Sequence, residues 1–298
     1  MGFFNSKITI IYCDSRKRDS TVGIILKKFI EMRGGSVFVS SRRNFSKILK
    51  IVSPQNILLI GQINILFDLI YEGKKLKKDF MGTNIYFYPA EGFAMPNEYK
   101  IMYPEKYNYY DLKKIFFWGQ GSYDWAKKNI DAPDHIFDKT GYPRLKMAKV
   151  FSVAQKDRIK KIGFVGRFPI LNDLYGELSM RFLLEEFTSN DSYKAIQLSR
   201  LQAEGRTIPV MLKTIKHIIN NTQYSVSFRP HPNEDRRTYL ILRNFFGSRF
   251  ELSEEVDAAQ WMAGCKKIIG LASSSYIDAA LANIPVICLD KISEKLVT

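Results

Sequence analysis

The sequence predicts an α/β protein of two doubly wound domains that face each other across a cleft. Short apolar and β-branched runs alternate with segments of helical spacing along the first half, the pattern of strands and crossover helices in a parallel sheet. The alternation starts again at KKIGFVGRF, 160–168, after a polar stretch. A chain of 298 residues suits two domains at about 150 residues each.

The elements follow in order. Residues 8–13 read as a first strand, and 20–33 as a helix with Val22, Ile25, Leu26, Phe29 and Ile30 at helical spacing, Ser20 as its cap and Gly34 as its stop. Strands are expected at 37–40, 57–61, 85–88 and 115–118, and TGYPR at 140–144 ends another. The polar stretch 148–160 reads as a linker between a first domain, 1–150, and a second, 151–298. In the second half helices are expected at 175–187, 207–220 and 276–282, and strands at 224–229 and 267–271. Two such Rossmann-like domains across a cleft make the GT-B architecture. No internal repeat and no low-complexity tract interrupts it.

Composition narrows the class. With 46% hydrophobic and 13% aromatic residues the chain has core material for both halves, which excludes a disordered protein. Cys13, Cys265 and Cys288 are scattered, each in an apolar run, and read as small buried residues of a reducing compartment; no metal site follows from them. The N-terminal apolar stretch is too short to span a bilayer, which points to the cytoplasm. The net charge of +15 is unevenly spread: residues 1–160 hold 28 Lys and Arg against 15 Asp and Glu, the remainder 17 against 15. Runs such as Arg16-Lys17-Arg18, or Lys74, Lys75, Lys77 and Lys78, suit anionic lipid headgroups or an acidic glycan, and equally a plain solvated surface. No nucleic-acid-binding motif accompanies the charge, which argues against nucleic acid as a partner.

Two loops of the second half carry chemistry. In VSFRPHP, 226–232, prolines at 230 and 232 stop a strand and hold His231 between fixed φ angles, so that Arg229 and His231 can both donate to phosphate oxygens. In the second loop Ser273, Ser274 and Ser275 stand between a strand and a helix, where a serine caps the helix and its first N–H groups favour an anion. An ordinary strand–turn–helix with serine caps has the same appearance. Loops of this kind line the ligand crevice at the carboxyl ends of the strands.

With these loops PAEGF (89–93), FFWGQGSYDW (116–125) and TGYPRLKM (140–147) complete an ordered set over nearly the whole chain. In this set the chain resembles bacterial surface-carbohydrate transferases of GT-B type, akin to the sialyltransferases, polysialyltransferases and Kdo transferases that use CMP-activated sugars. The resemblance implies that Arg229, His231, Ser273, Ser274 and Ser275 hold the donor phosphate, with His231 also serving catalysis. It implies an acceptor-side carboxylate from an acidic-acidic-Gly element, which here reads Ala90-Glu91-Gly92 and leaves Glu91 to match. A carboxylate there can take the proton of a sugar hydroxyl as the new bond forms, an effect of about 10²–10⁴-fold. The scheme calls for no metal and no cofactor beyond the activated sugar, and the acceptor would be an acidic or lipid-linked glycan, reached in the cytoplasm or at the inner face of its membrane. The GT-B pattern also calls for a helix returning to the first domain beyond Asp290.

Further candidates are weaker. Tyr142 and Arg144 stand where the domains are expected to meet, either lining the cleft or forming a turn fixed by Pro143. Asn172 and Asp173 follow the first strand of the second domain and can reach a sugar, Asp173 also as a carboxylate nucleophile. His135, His217 and Asp278 read as surface or packing residues. Competing functions are a CDP-glycerol-type glycerophosphotransferase, a nucleotide-sugar epimerase, for which the acid/base residues cannot be assembled, and a non-catalytic glycan- or membrane-binding component of a biosynthetic complex.

Overall fold

A computed structural model describes residues 7–14, 16–61, 63–72, 75–89, 103, 107–154, 160–174, 191–255, 257–271, 273 and 275–289. The helix expected at 175–187 lies outside them. Two compact units divide the chain, Met1–Arg144 and Leu145–Thr298, and each holds one all-parallel sheet.

The strands of the first unit are β1 (Ile8–Cys13), β2 (Ser36–Ser41) and β3 (Asn56–Gly61), then a short antiparallel hairpin of β4 (Tyr71–Glu72) and β5 (Lys75–Leu76), then β6 (Asn84–Pro89), β7 (Lys114–Phe117) and β8 (Phe137–Lys139). Apart from the hairpin they form one sheet in the order β2-β1-β3-β6-β7-β8. β1 is buried along nearly its whole length because helices cover both faces, whereas β2, at the edge, is buried only at Val37 and Ser40. The helix Arg16–Glu31 lies against one face, brought close by Gly23, where a Cβ would stand 2.6 Å from Cys13 Sγ.

Helices Arg42–Ile51, Ile63–Ile70 and Gln120–Asn129 send Phe45, Phe67 and Ala126 to the other face, into a core with Ile10, Ile57, Ile85 and Ile115. Phe67 is the hub of an aromatic cluster: Tyr107 stacks on it at 4.2 Å and Phe87 and Tyr109 meet it edge-on at 4.9 Å.

The second unit contains β9 (Lys161–Val165), β10 (Ser225–Arg229), β11 (Phe250–Leu252), β12 (Lys267–Gly270) and β13 (Val286–Cys288), in the order β11-β10-β9-β12-β13. Helix Asp191–Asn221 packs Met211, Ile215 and Ile219 into one core with Phe164 and Phe228. Trp261, Met262 and Ala279, from helices Ala258–Ala263 and Tyr276–Leu281, pack with Val165 and Ile268 in another.

Three expectations need correction. The helix expected at 20–33 begins at Arg16, so Ser20 lies inside it and is not its cap. The stretch 148–160 is not a linker throughout, because the helix Pro143–Ala154 runs into it and Ala148 is buried. Pro143 stands at the first helical position, where its missing N–H costs nothing. The helix expected at 207–220 begins at Asp191 and continues through Pro209, and tertiary contacts outweigh the proline. No helix of the described residues is long and apolar enough to cross a membrane. Cys13, Cys265 and Cys288 are free thiols, and burial pushes Cys13 and Cys265 up to about 12, which makes them inert packing residues.

Phe67→Ala empties the centre of the aromatic cluster, and urea unfolding is expected to show a loss of about 3–5 kcal/mol, with near-ultraviolet dichroism reporting the broken ring contacts.

Candidate functional site

In a parallel sheet the ligand crevice opens beyond the carboxyl ends of the strands at the point where the strand order reverses. In the second unit that point lies between β9 and β12. Arg229 at the end of β10 and Gly270 at the end of β12 are both in register with Val165 of β9, so the two loops leave the sheet at one level, on either side of β9 and about 10 Å apart. β12 comes this close because residue 270 is glycine: a Cβ there would stand 2.5 Å from the Val165 carbonyl oxygen.

The loop after β10 presents His231, half-buried, and its geometry assigns the tautomer. Nδ1 accepts the Asn233 backbone N–H at 3.2 Å, which leaves Nε2 as the donor nitrogen. Arg229 is differently placed: its guanidinium donates to the Glu255 carbonyl and lies 5.9 Å from the Trp261 ring. In the loop after β12, Ser275 is the N-cap, yet its side chain makes no cap bond to the helix. Its Oγ stands 2.8 Å from Ser273 Oγ, which accepts the Ser275 N–H at 3.3 Å. The expected serine cap is thus replaced by a hydroxyl pair at the crevice. Ser274 lies outside the described residues.

The loop after β9 is held from within. Asn172 donates to the Asp235 carbonyl at 2.9 Å and accepts from Thr238 at 2.8 Å, so it ties this loop to the one after β10. Asp173 forms an antiparallel bridge with Glu234. Two buried carboxyls that the sequence reading missed complete the clamp. Glu204 Oε2 accepts the N–H groups of Ile170 at 3.1 Å and Leu171 at 3.0 Å, and Glu234 accepts the Phe168 N–H at 2.7 Å and the Tyr239 hydroxyl at 2.5 Å. Burial pushes each carboxyl up to about 7, against bonds that favour the charged form. A signal for Glu204 was present: it lies on the same helical stripe as Thr207, Met211 and Ile215, which a helix begun at 207 leaves out.

In the first unit Tyr142 is buried, stacked on Trp118 at 4.0 Å and edge-on to Tyr88 at 5.2 Å, and packs rather than presenting a surface. Arg144 is half-buried at the start of the helix that follows. Glu91 lies outside the described residues, two beyond the end of β6 at Pro89. His135 and His217 are exposed, and Asp278 is buried.

The chain matches no model of a known protein family and no curated protein sequence.

Because the folded pKa values of Glu204 and Glu234 lie above the ordinary 4.5, protonation favours the fold. Their contribution is fully present below pH about 4.5 and is lost as pH rises through about 7, on the order of 3 kcal/mol per group at most. Glu204→Gln keeps an acceptor for both N–H groups and removes the titration. Urea midpoints between pH 5 and 8 should fall with pH in the wild type and fall less in this variant.

Proposed function

We propose that the chain is a metal-independent glycosyltransferase of the GT-B arrangement that moves a Kdo-like or sialic-acid-like sugar from a CMP donor to a bacterial surface glycan. The observation that carries the reading is the shared level of the His231 loop and the Ser273–Ser275 loop on either side of β9 at the crevice of the second sheet. A phosphate between them would accept from His231 Nε2 and from whichever hydroxyl of the Ser273–Ser275 pair does not donate to the other. The choice of CMP rests on the resemblance of RPHP and the serine run to the CMP-sugar transferases.

The chemistry balances with the residues named. The acceptor hydroxyl oxygen forms the new bond to the anomeric carbon, and its proton passes to the Glu91 carboxylate. The bond from that carbon to the phosphate oxygen breaks, and its electron pair stays on the departing CMP. Donors preset at His231 and the serines stabilise that charge more in the transition state than in the ground state, which is the condition for accelerating the step. Peripheral attachment at the inner face of the cytoplasmic membrane belongs to the same reading, since the acceptor grows there.

Calorimetric titration of the protein with CMP, CDP, UDP and GDP tests the donor class. CMP is expected to bind selectively, and His231→Ala to weaken it by about tenfold or more, the loss of one hydrogen bond to a charged group. Preference for CDP would move the reading to glycerophosphotransfer, and no nucleotide binding would sink it. With an acceptor in hand, Glu91→Gln should lower turnover by about 10²-fold or more while CMP affinity is kept.

A further inference from the structure

Three large aliphatic side chains of the first unit stand far out of the surface: Met32 at 70% exposure, Ile51 at 83% and Met81 at 71%. Single exposed apolar residues are ordinary. These three share one edge of the sheet. Met32 follows the helix Arg16–Glu31 and precedes β2, Ile51 ends the helix Arg42–Ile51 and precedes β3, and Met81 precedes β6, so all three lie where the parallel strands begin.

The turns that carry them are bonded to one another or to the strand between. The Ser36 N–H donates to the Lys7 carbonyl and the Gln55 N–H to the Ile8 carbonyl, which binds the turns before β2 and β3 to the start of β1. Thr83 Oγ1 donates to the Pro54 carbonyl at 3.2 Å, and Phe80 stacks on Phe45 at 6.2 Å, which joins the turn before β6 to the helix that carries Ile51. With the order β2-β1-β3-β6, the three turns span about 14 Å.

Each aliphatic side chain has an exposed cation near it in sequence: Arg33 after Met32, Lys50 before Ile51, Lys78 three residues before Met81. Exposed Lys7 stands at the start of β1, between them. Among the described residues of the turns at 32–35, 52–55 and 78–83, Asp79 is the only carboxylate, and nearby Glu31 is already paired with Lys27 at 2.7 Å. Aliphatic tips beside cations match the boundary of an anionic bilayer, where the tips enter the acyl region and the cations stay among the headgroups. Tips on three separate turns offer a protein partner no continuous apolar face.

We propose that this edge of the first unit is a membrane-docking surface for anionic lipid, with Met32, Ile51 and Met81 as its inserting residues and Arg33, Lys50 and Lys78 as its headgroup contacts. It deepens the membrane part of the functional reading and is independent of the nucleotide part. The carboxyl ends of the strands then lie about 20 Å from the lipid, a strand length away. An acceptor reached there is an extended chain and not the sugar next to a lipid anchor.

The test is flotation of the whole protein with phosphatidylcholine vesicles containing or lacking one third phosphatidylglycerol, without nucleotide. Wild type should float with the anionic vesicles and not with the neutral ones. The triple variant Met32→Ser, Ile51→Ser, Met81→Ser should partition about tenfold less, as should Lys50→Glu with Lys78→Glu, both with unchanged circular dichroism because the side chains are exposed. Equal flotation of wild type and variants overturns the proposal, and so does no flotation of wild type. A concentration-dependent dimer in light scattering that the triple serine variant abolishes would also overturn it, by assigning the edge to a second copy. Since the assay contains no nucleotide, vesicle binding can fail while CMP binding stands, or the reverse.

Discussion

Glu234 holds the crevice edge of the second sheet together. It sits in the loop after β10, three residues beyond His231, yet its carboxyl points inward, 1% exposed, to accept from Phe168 in the loop after β9 and from Tyr239 in the turn that follows. Burying a carboxyl is tolerable only with such partners. The packing around it is tight enough to dictate a neighbour: a Cβ on Gly166 would stand 3.0 Å from Glu234 Oε2, 2.9 Å from Phe228 and 3.1 Å from Pro230. Two loops distant in sequence therefore behave as one packed body. A phosphate site needs donors that are in place before the ligand arrives, because ordering them on binding subtracts from affinity. Glu234 orders the loop that carries His231 from behind, and Glu204, from the long helix, orders the loop after β9.

The α/β class and most strands were legible because buried parallel strands are nearly continuous apolar runs; the segment read at 8–13 coincides with β1. The sites of the two loops were legible too, since proline and serine punctuate strand ends. What stayed hidden was hidden for physical reasons. β11 and β13 have three residues each, too few to show a period, and the helix Asp191–Asn221 contains a glycine and a proline that locally argue against it. Nothing in the local sequence marks Glu234 as buried, because burial of a carboxyl depends on backbone N–H groups from segments far away in the chain. The inactive cap of Ser275 is a similar case: the residue type suits a cap, and the competing hydroxyl of Ser273, two residues away, takes its place.

The uneven charge of the chain fits a division of labour between the ends of the first sheet. A positive excess concentrated in the first 160 residues contributes little to the fold, and a field that strong self-repels unless something anionic answers it. Lys50 and Lys78 lie at the strand-start edge, where exposed aliphatic tips also gather, and the strand ends that face a ligand in this class of sheet lie opposite.

The cations around the crevice of the second unit are held in different ways. Arg229 belongs to the RPHP loop, yet it works as a strut: its guanidinium reaches the Glu255 carbonyl and the Trp261 ring, and the segment it grips is also bonded to β10 through the Ser253 N–H and the Phe228 carbonyl. Arg236 grips the same segment at the Ser253 carbonyl, 2.7 Å, and at Glu254, 2.8 Å. Substituting Arg229 therefore loosens the wall of the crevice as well as removing a charge. Arg167 is exposed two residues beyond β9, the central strand at the switch point, and in sequence it follows the glycine on which the loop packing depends. In a sheet of this order the strand next to the reversal is the one whose loop approaches the ligand most closely. Arg229 thus braces the wall beside β10, while Arg167 is the exposed cation at the end of the central strand.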